Sequence, residues 1–178
     1  MKEGQKLPAF TGVDQNGATV RLQDFAGRPL VLYFYPRAST PGCTIEARAF
    51  RDLYPEFQRR GIAVVGVSPD SPRAQKKFCD NQNLPFPLIA DADRSLCQSC
   101  GVLGEKSMFG RKYEGVVRST FLAGADGAVL RVWSPVKIGG HAQQVLSEAE
   151  RLGLSSPAEA HPSIDPSTDR PRAPLRPR

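Results

Sequence analysis

Two hydrophobic periods alternate along the chain. Phe10–Val13 and Ala18–Leu22 flank Asp14-Gln15-Asn16-Gly17. Asn-Gly between two such segments predicts a hairpin, because both residues tolerate the positive φ of a tight turn. Pro29–Tyr35 is a continuous aliphatic and aromatic run, as expected of a strand covered on both faces. The period then lengthens. From Thr44 to Arg60 apolar residues recur at Ile45, Ala49, Leu53 and Phe57, which predicts a helix with that face inward and Gly61 at its end. Pro55 lies inside it and predicts a kink. Ile62–Val67 reads as a second buried strand. Ser71–Asn81 reads as a helix, with Ser71 as N-cap and Pro72 in the first turn. Phe86–Ala90 is a short strand, and Asp93–Cys100 is one or two helical turns. Thr120–Ala123 and Ala128–Val132 flank Gly124-Ala125-Asp126-Gly127 and predict a second hairpin. Ala142–Leu152 closes the pattern as a helix with Val145, Ala149 and Leu152 inward. No element is assigned between Cys100 and Thr120.

Buried β-α-β units come first and an antiparallel hairpin and helix follow. That order predicts an α/β sandwich with a mixed central sheet. From Ser155 onward the only large aliphatics are Ile164 and Leu175, and six of the 16 prolines lie between Leu154 and Arg178. Such a segment buries too little apolar surface to offset its ordering entropy. The expected organisation is one domain over residues 1–153 and a disordered Pro/Arg-rich tail over residues 154–178.

Composition narrows the class. Of 178 residues, 24 are Lys or Arg and 18 Asp or Glu, a net charge of +6. The charge is dispersed and lacks interleaved aromatics, so a nucleic-acid-binding module is not expected. No apolar run reaches the ~18–20 residues needed to span a bilayer, so no membrane association is expected. The first residues, Met1-Lys2-Glu3-Gly4-Gln5-Lys6, contain no apolar core of a secretory signal. A reducing, cytoplasmic setting is therefore expected, with the four cysteines as thiols rather than bridges. Cys97-Gln98-Ser99-Cys100 has no second ligand pair, which argues against zinc. His141 and Trp133 read as capping or packing residues, and His161 lies in the tail.

The candidate chemistry lies where the first buried strand gives way to a helix, in Tyr35-Pro36-Arg37-Ala38-Ser39-Thr40-Pro41-Gly42-Cys43-Thr44-Ile45-Glu46-Ala47. Gly42 is expected to let the backbone turn tightly and put Cys43 in the first helical turn. Unpaired N–H groups and the positive end of the helix dipole favour an anionic, nucleophilic sulfur at such a position. Thr40 can place a hydroxyl beside that sulfur. Pro36 and Pro41 stiffen the loop and preorganise its donors.

The run Pro36-x-x-x-Thr40-x-x-Cys43, followed by Thr44-x-Glu46-Ala47, resembles the peroxidatic motif of peroxiredoxins. More narrowly it is similar to the Q-type, bacterioferritin-comigratory-protein-like thiol peroxidases. Val64-Val65-Gly66-Val67-Ser68-x-Asp70, Phe86-Pro87-Leu88-Ile89-x-Asp91, Gly101-Val102-x-Gly104-Glu105-Lys106, Arg118-Ser119-Thr120-Phe121 and Val136-Lys137-x-x-Gly140-His141-Ala142 resemble later segments of that family. The likeness spans residues 4 to 152. It implies a thioredoxin-like fold that reduces hydrogen peroxide and organic hydroperoxides without metal, haem or flavin. It makes Cys43 the nucleophile, with the Thr40 hydroxyl, the Cys43 N–H and the Arg118 guanidinium as donors to the peroxide oxygens. Glu46 would fix the arginine or cap the helix. In one subgroup the resolving cysteine stands five positions on, which here is Arg48. Cys79, Cys97 and Cys100 remain, and Cys79 matches the placement in another subgroup. The resemblance thus implies an intramolecular Cys43–Cys79 disulfide and recycling by thioredoxin or a similar dithiol; two cysteines on separate helices are expected to need local unwinding to bond, and a resolver in the same chain needs no partner subunit, so a monomer is expected. The other function class left by the residues is a disulfide oxidoreductase or redox sensor working through Cys97 and Cys100.

Overall fold

A computed structural model describes residues 1–155. The expected elements form, with two additions, a 3-10 turn and a hairpin. β1 (Thr11–Val13) and β2 (Thr19–Arg21) make the N-terminal hairpin, and Asp14 Oδ1 accepts from the Asn16 and Ala18 N–H groups across its loop. A 3-10 turn (Leu22–Phe25) leads to β3 (Leu30–Phe34), α1 (Pro41–Arg59), β4 (Ala63–Ser68), α2 (Pro72–Gln82), β5 (Leu88–Ala90) and α3 (Ser95–Ser99). A hairpin of β6 (Leu103–Met108) and β7 (Arg111–Val116) follows, then β8 (Ser119–Ala123), β9 (Val129–Trp133) and α4 (His141–Arg151). Among the described residues, no helix is long and apolar enough to cross a membrane.

The central sheet has the order β5-β4-β3-β8-β9. β3, β4 and β5 run parallel, as their helical crossovers require, and β8 and β9 are antiparallel. Period-two alternation divides the core between the two faces. Val31, Tyr33 and Tyr35 of the β3 segment meet α1, α2 and α4 through Phe50, Phe57, Phe78 and Val145. Leu30, Leu32 and Phe34 pack on the other face with Leu96, Cys97 and Val102. Burying each large side chain contributes roughly 1.5–3 kcal/mol, so both faces hold the strand in one register.

Three expectations are corrected. α1 starts at Pro41 rather than Thr44, because proline lacks the N–H that would be unpaired at the first helical position anyway. As expected, α1 runs on past Pro55, to Arg59. Its buried face is Cys43, Glu46, Ala47, Phe50 and Phe57, and Ile45 is 58% exposed. A spacing of four drifts by about 40° per step on a helix of 3.6 residues per turn, so the line from Ile45 to Phe57 winds from solvent into the core. The β6–β7 hairpin was not expected. It is mostly exposed, and Phe109 at its tip is almost wholly so. After α4, Leu154 packs against the helical side of the core and donates from its N–H to the Ala149 carbonyl. The rest of the expected tail, residues 156–178, lies outside the described residues.

Candidate active site

β3 pairs with β8 so that Phe34 faces Ser119. The next residue out on each strand is therefore Tyr35 on one side and Arg118 on the other. The loop from Pro36 to Thr40 carries the chain from that edge into α1. Its turn is made by Ser39, at φ 64°, and its backbone is held where the Ala38 N–H donates to Asp70 Oδ2 at 2.7 Å. Thr40 is the N-cap of α1 by backbone conformation. Its hydroxyl donates to the Arg37 carbonyl at 2.9 Å, and its own carbonyl accepts from the Thr44 N–H and hydroxyl. Cys43 is thus the third residue of α1, among the N–H groups that have no partner within a helix.

Gly42 does not supply the turn. It lies inside α1 without a positive φ. A Cβ there would stand 2.9 Å from Ile138 Cδ1 and 3.3 Å from Arg118 Nη2. The residue is small because the arginine must pass close to the helix start. Pro36 is half-buried directly after Tyr35, where a fixed φ directs the chain out of the sheet.

Arg118 reaches two acceptors with two nitrogens. Nη2 donates to Cys43 Sγ at 3.2 Å, and Nη1 donates to Glu46 Oε2 at 2.5 Å. Cys43 and Glu46 are three apart on α1 and so share a face. Both residues are 1% exposed, and the arginine side chain is 15% exposed. Glu46 therefore fixes the arginine and does not cap the helix. Burial pushes the Glu46 carboxyl up to about 7, against the pull of the guanidinium. Burial works to lower the Arg118 value, but Glu46 and then the Cys43 sulfur outweigh it, and the net shift is upward. Behind the pair, Glu46 Oε1 and the Tyr33 hydroxyl are buried without a hydrogen-bond partner among the described residues. Burial first, then Tyr35 and Glu46, raises the Tyr33 phenol well above its ordinary value.

Cys79 lies on α2, half-buried beside the same core. Its thiol donates to the Leu84 carbonyl at 3.2 Å and accepts from Gln15 Nε2 at 3.5 Å. The Cys43 and Cys79 sulfurs share no hydrogen-bond partner, and all four cysteines are free thiols.

The sequence pattern of the AhpC/TSA family matches residues 3–132. The chain belongs to that family. Peroxiredoxin Bcp of Escherichia coli (strain K12) is 40% identical over 147 residues, 83% of this chain and 94% of that protein. A solved structure of the Xanthomonas campestris bacterioferritin comigratory protein, studied for its alkyl peroxide reduction, superposes with a TM-score of 0.80. It is 39% identical and covers 85% of this chain and 99% of its own. Structures of Xanthomonas campestris peroxiredoxin Q with single cysteine-to-serine replacements give the same TM-score, identity and coverage. The chain is therefore a peroxiredoxin, a thiol peroxidase of thioredoxin-like fold that takes peroxide substrates and a thiol reductant.

Within this peroxiredoxin Cys97, Cys100 and His141 are buried away from solvent. Cys97 and Cys100 sit fully buried on the face of the sheet away from α1. Burial pushes the Cys100 thiol up to about 12 and the Cys97 thiol higher still. Such thiols do not exchange readily, so the geometry gives no support to a dithiol centre there. His141 is 1% exposed, bonded through Nε2 to Thr120 Oγ1 at 2.8 Å, with its ring edge-on to Phe50 and Trp133. Burial lowers its value to about 4, so it is uncharged packing. Sequence reasoning missed Asp70, Gln75 and Gln15, which support the site from three different loops and helices. Asp70 and its neighbour Ser68 stand in a quoted motif, but nothing in their spacing announces a bond to the Ala38 N–H.

Proposed function

We propose that Cys43 is the sulfur that reduces peroxide and that Cys79 resolves it. Cys43 attacks one peroxide oxygen in line, the O–O bond breaks, and the other oxygen departs as hydroxide or alkoxide. The sulfur retains the first oxygen as a sulfenic acid. Charge moves along S–O–O in this step, so donors fixed before reaction lower the barrier. The observation that carries the reading is the single guanidinium of Arg118, held by buried Glu46 and aimed at Cys43 Sγ. Thr40 stands at the helix start, and its hydroxyl proton, on the Arg37 carbonyl, must turn away from it to serve as the donor that the resemblance implies. Hydrogen peroxide and organic hydroperoxides are the expected substrates, in keeping with the alkyl peroxide reduction of the Xanthomonas campestris relative.

Resolution must come from a second thiol, because Cys43 is buried and a protein reductant has no direct path to it. In Xanthomonas campestris peroxiredoxin Q the two cysteines replaced singly by serine stand 36 positions apart, the separation of Cys43 and Cys79. The two sulfurs are held by different partners, Arg118 on one side and Leu84 and Gln15 on the other, so the start of α1 and the later half of α2 rearrange to bring the Cα atoms within the about 7 Å that a disulfide needs. Thioredoxin or a similar dithiol then exchanges with the disulfide. One chain holds both cysteines, which suits a monomer, and four free thiols suit a reducing compartment such as the cytoplasm. Peroxide consumption in the presence of thioredoxin, thioredoxin reductase and NADPH tests the reading. Cys43→Ser abolishes it, and Cys79→Ser stops turnover after one oxidation. A Cys79→Ser protein that cycles normally would remove Cys79 from the mechanism.

A further inference from the structure

α2 is held differently at its two ends. Toward its start, Gln75 is fully buried. Its side chain accepts from the Tyr35 hydroxyl at 2.5 Å and donates to Ser68 Oγ at 2.8 Å and to the Ile89 carbonyl at 3.0 Å. The Ser68 hydroxyl donates to Asp70 Oδ2, which also accepts from the Ala38 N–H in the loop before Cys43. This half of the helix is tied to the sheet and to the active-site loop by a continuous buried network.

The later half carries Cys79 and is tied at its rim. Arg51 of α1 donates to the Gln82 carbonyl at 2.8 Å, and the Cys79 thiol donates to the Leu84 carbonyl. Phe78, one residue before Cys79, is fully buried in the core, and the remaining polar tie on Cys79 comes from Gln15 in the β1–β2 loop. Its Nε2 donates to Cys79 Sγ at 3.5 Å and to the Phe86 carbonyl at 3.3 Å, and its Oε1 accepts from the Leu88 N–H at 2.8 Å. One amide thus joins the sulfur to the segment that runs from α2 into β5.

We infer that Gln15 is a positioning residue for the resolving step: it retains Cys79 in the reduced position and so sets how readily the end of α2 opens toward Cys43. The inference rests on the assignment of Cys79 as resolver. In the step itself the Cys79 sulfur attacks the sulfenic sulfur of Cys43 and the S–O bond breaks. The departing hydroxide takes the thiol proton, which gives one disulfide and one water with no outside oxidant. Before this, Cys79 must leave both Leu84 and Gln15. Residues up to Gln75 keep their network and Phe78 is fully buried in the core, so the opening is confined to the end of α2 from Cys79 onward.

The experiment uses the full-length chain with Gln15→Ala and Gln15→Glu. Glutamate keeps the acceptor for the Leu88 N–H and loses both donors, so it tests the sulfur contact in a nearly unaltered fold. After one equivalent of hydrogen peroxide, acid quenching and mass spectrometry follow sulfenic acid and disulfide separately. Sulfenic acid formation is expected to be unchanged in both variants. Disulfide formation is expected to be about 3- to 10-fold faster, the factor of one net hydrogen bond withdrawn from the closed state. The equilibrium with a dithiol buffer should move toward disulfide in the same sense, a shift that a loss of general packing would not produce alongside an unchanged first step. Disulfide formation that is unchanged or slower in both variants overturns the inference while leaving Cys79 as resolver. Peptide mapping of the unmodified protein that shows no Cys43–Cys79 bond overturns both.

Discussion

Replacing Arg118 by lysine keeps the charge and removes the fork. Nη1 now serves Glu46 at 2.5 Å and Nη2 serves Cys43 Sγ at 3.2 Å, two acceptors on two nitrogens of one rigid plane. A lysine ammonium is a single nitrogen on a flexible stem. Against a carboxylate that is 1% exposed, it goes to Glu46 and leaves the sulfur. Loss of one preorganised donor at the reacting centre costs about 2.7–4 kcal/mol, or roughly 100- to 1,000-fold in rate. Arg118→Ala loses the same donor and also leaves Glu46 without a cation. The Glu46 carboxyl already lies at about 7 rather than its ordinary 4.5. A raised folded value means that its contribution to stability is whole below 4.5 and is lost as pH rises through 7. Without Arg118 the folded value climbs further, so the loss deepens above neutrality. The alanine variant should therefore be close to the parent at about pH 5 and destabilised at about pH 8, toward the roughly 3–5 kcal/mol of a broken buried pair. Stopped-flow rates with hydrogen peroxide and thermal melts at the two pH values measure both effects. A lysine variant as fast as the parent would refute the two-nitrogen argument. An alanine deficit independent of pH would refute the account of Glu46.

Three further outcomes are expected. His141 lies at about 4 when folded and 6.5 when unfolded, so stability is whole above 6.5 and is lost as pH falls through 4. That is about 3 kcal/mol, read by urea titration at several pH values, and His141→Gln should flatten the profile. Tyr33→Phe removes a buried hydroxyl that has no partner and should stabilise the protein by about 1 kcal/mol, seen as a higher urea midpoint at constant slope; a lower midpoint would mean that the hydroxyl is paired. Gly42→Ala puts a methyl against Ile138 and Arg118 Nη2, an overpacking of about 1–3 kcal/mol, and should slow Cys43 oxidation about tenfold. An alanine variant at the parent rate would show that the arginine has room to move.

The order of elements, the buried strands and the position of Cys43 at a helix start were legible because each is written in local spacing. The continuous apolar run at Pro29–Tyr35 can be covered only from both sides, and Ser71-Pro72 opens α2 as their backbone preferences require. The face of α1 was misjudged because a spacing of four is only near the helical period, so Ile45 came out exposed. The β6–β7 hairpin left no signal because it buries neither face for most of its length and so has no apolar alternation to read. Gly42 looked like a turn residue, yet its need for space depends on an arginine 76 positions later in the chain.

By itself the sequence determined an α/β chain with a cysteine at a strand-to-helix junction and the motif that a peroxiredoxin carries there. Tertiary structure decided what surrounds that sulfur. Arg118 is beside Cys43 only because β8 pairs with β3 in a register that sets Ser119 against Phe34. Glu46 is buried beside Arg118 only because α1 turns that face to the sheet. Cys79 is tied by Gln15 only because the N-terminal hairpin lies against the lead into β5. Local spacing fixes which residues share a strand or a helix face. Which elements meet is fixed by the burial of their common apolar surfaces, a property of the whole core that no short segment contains.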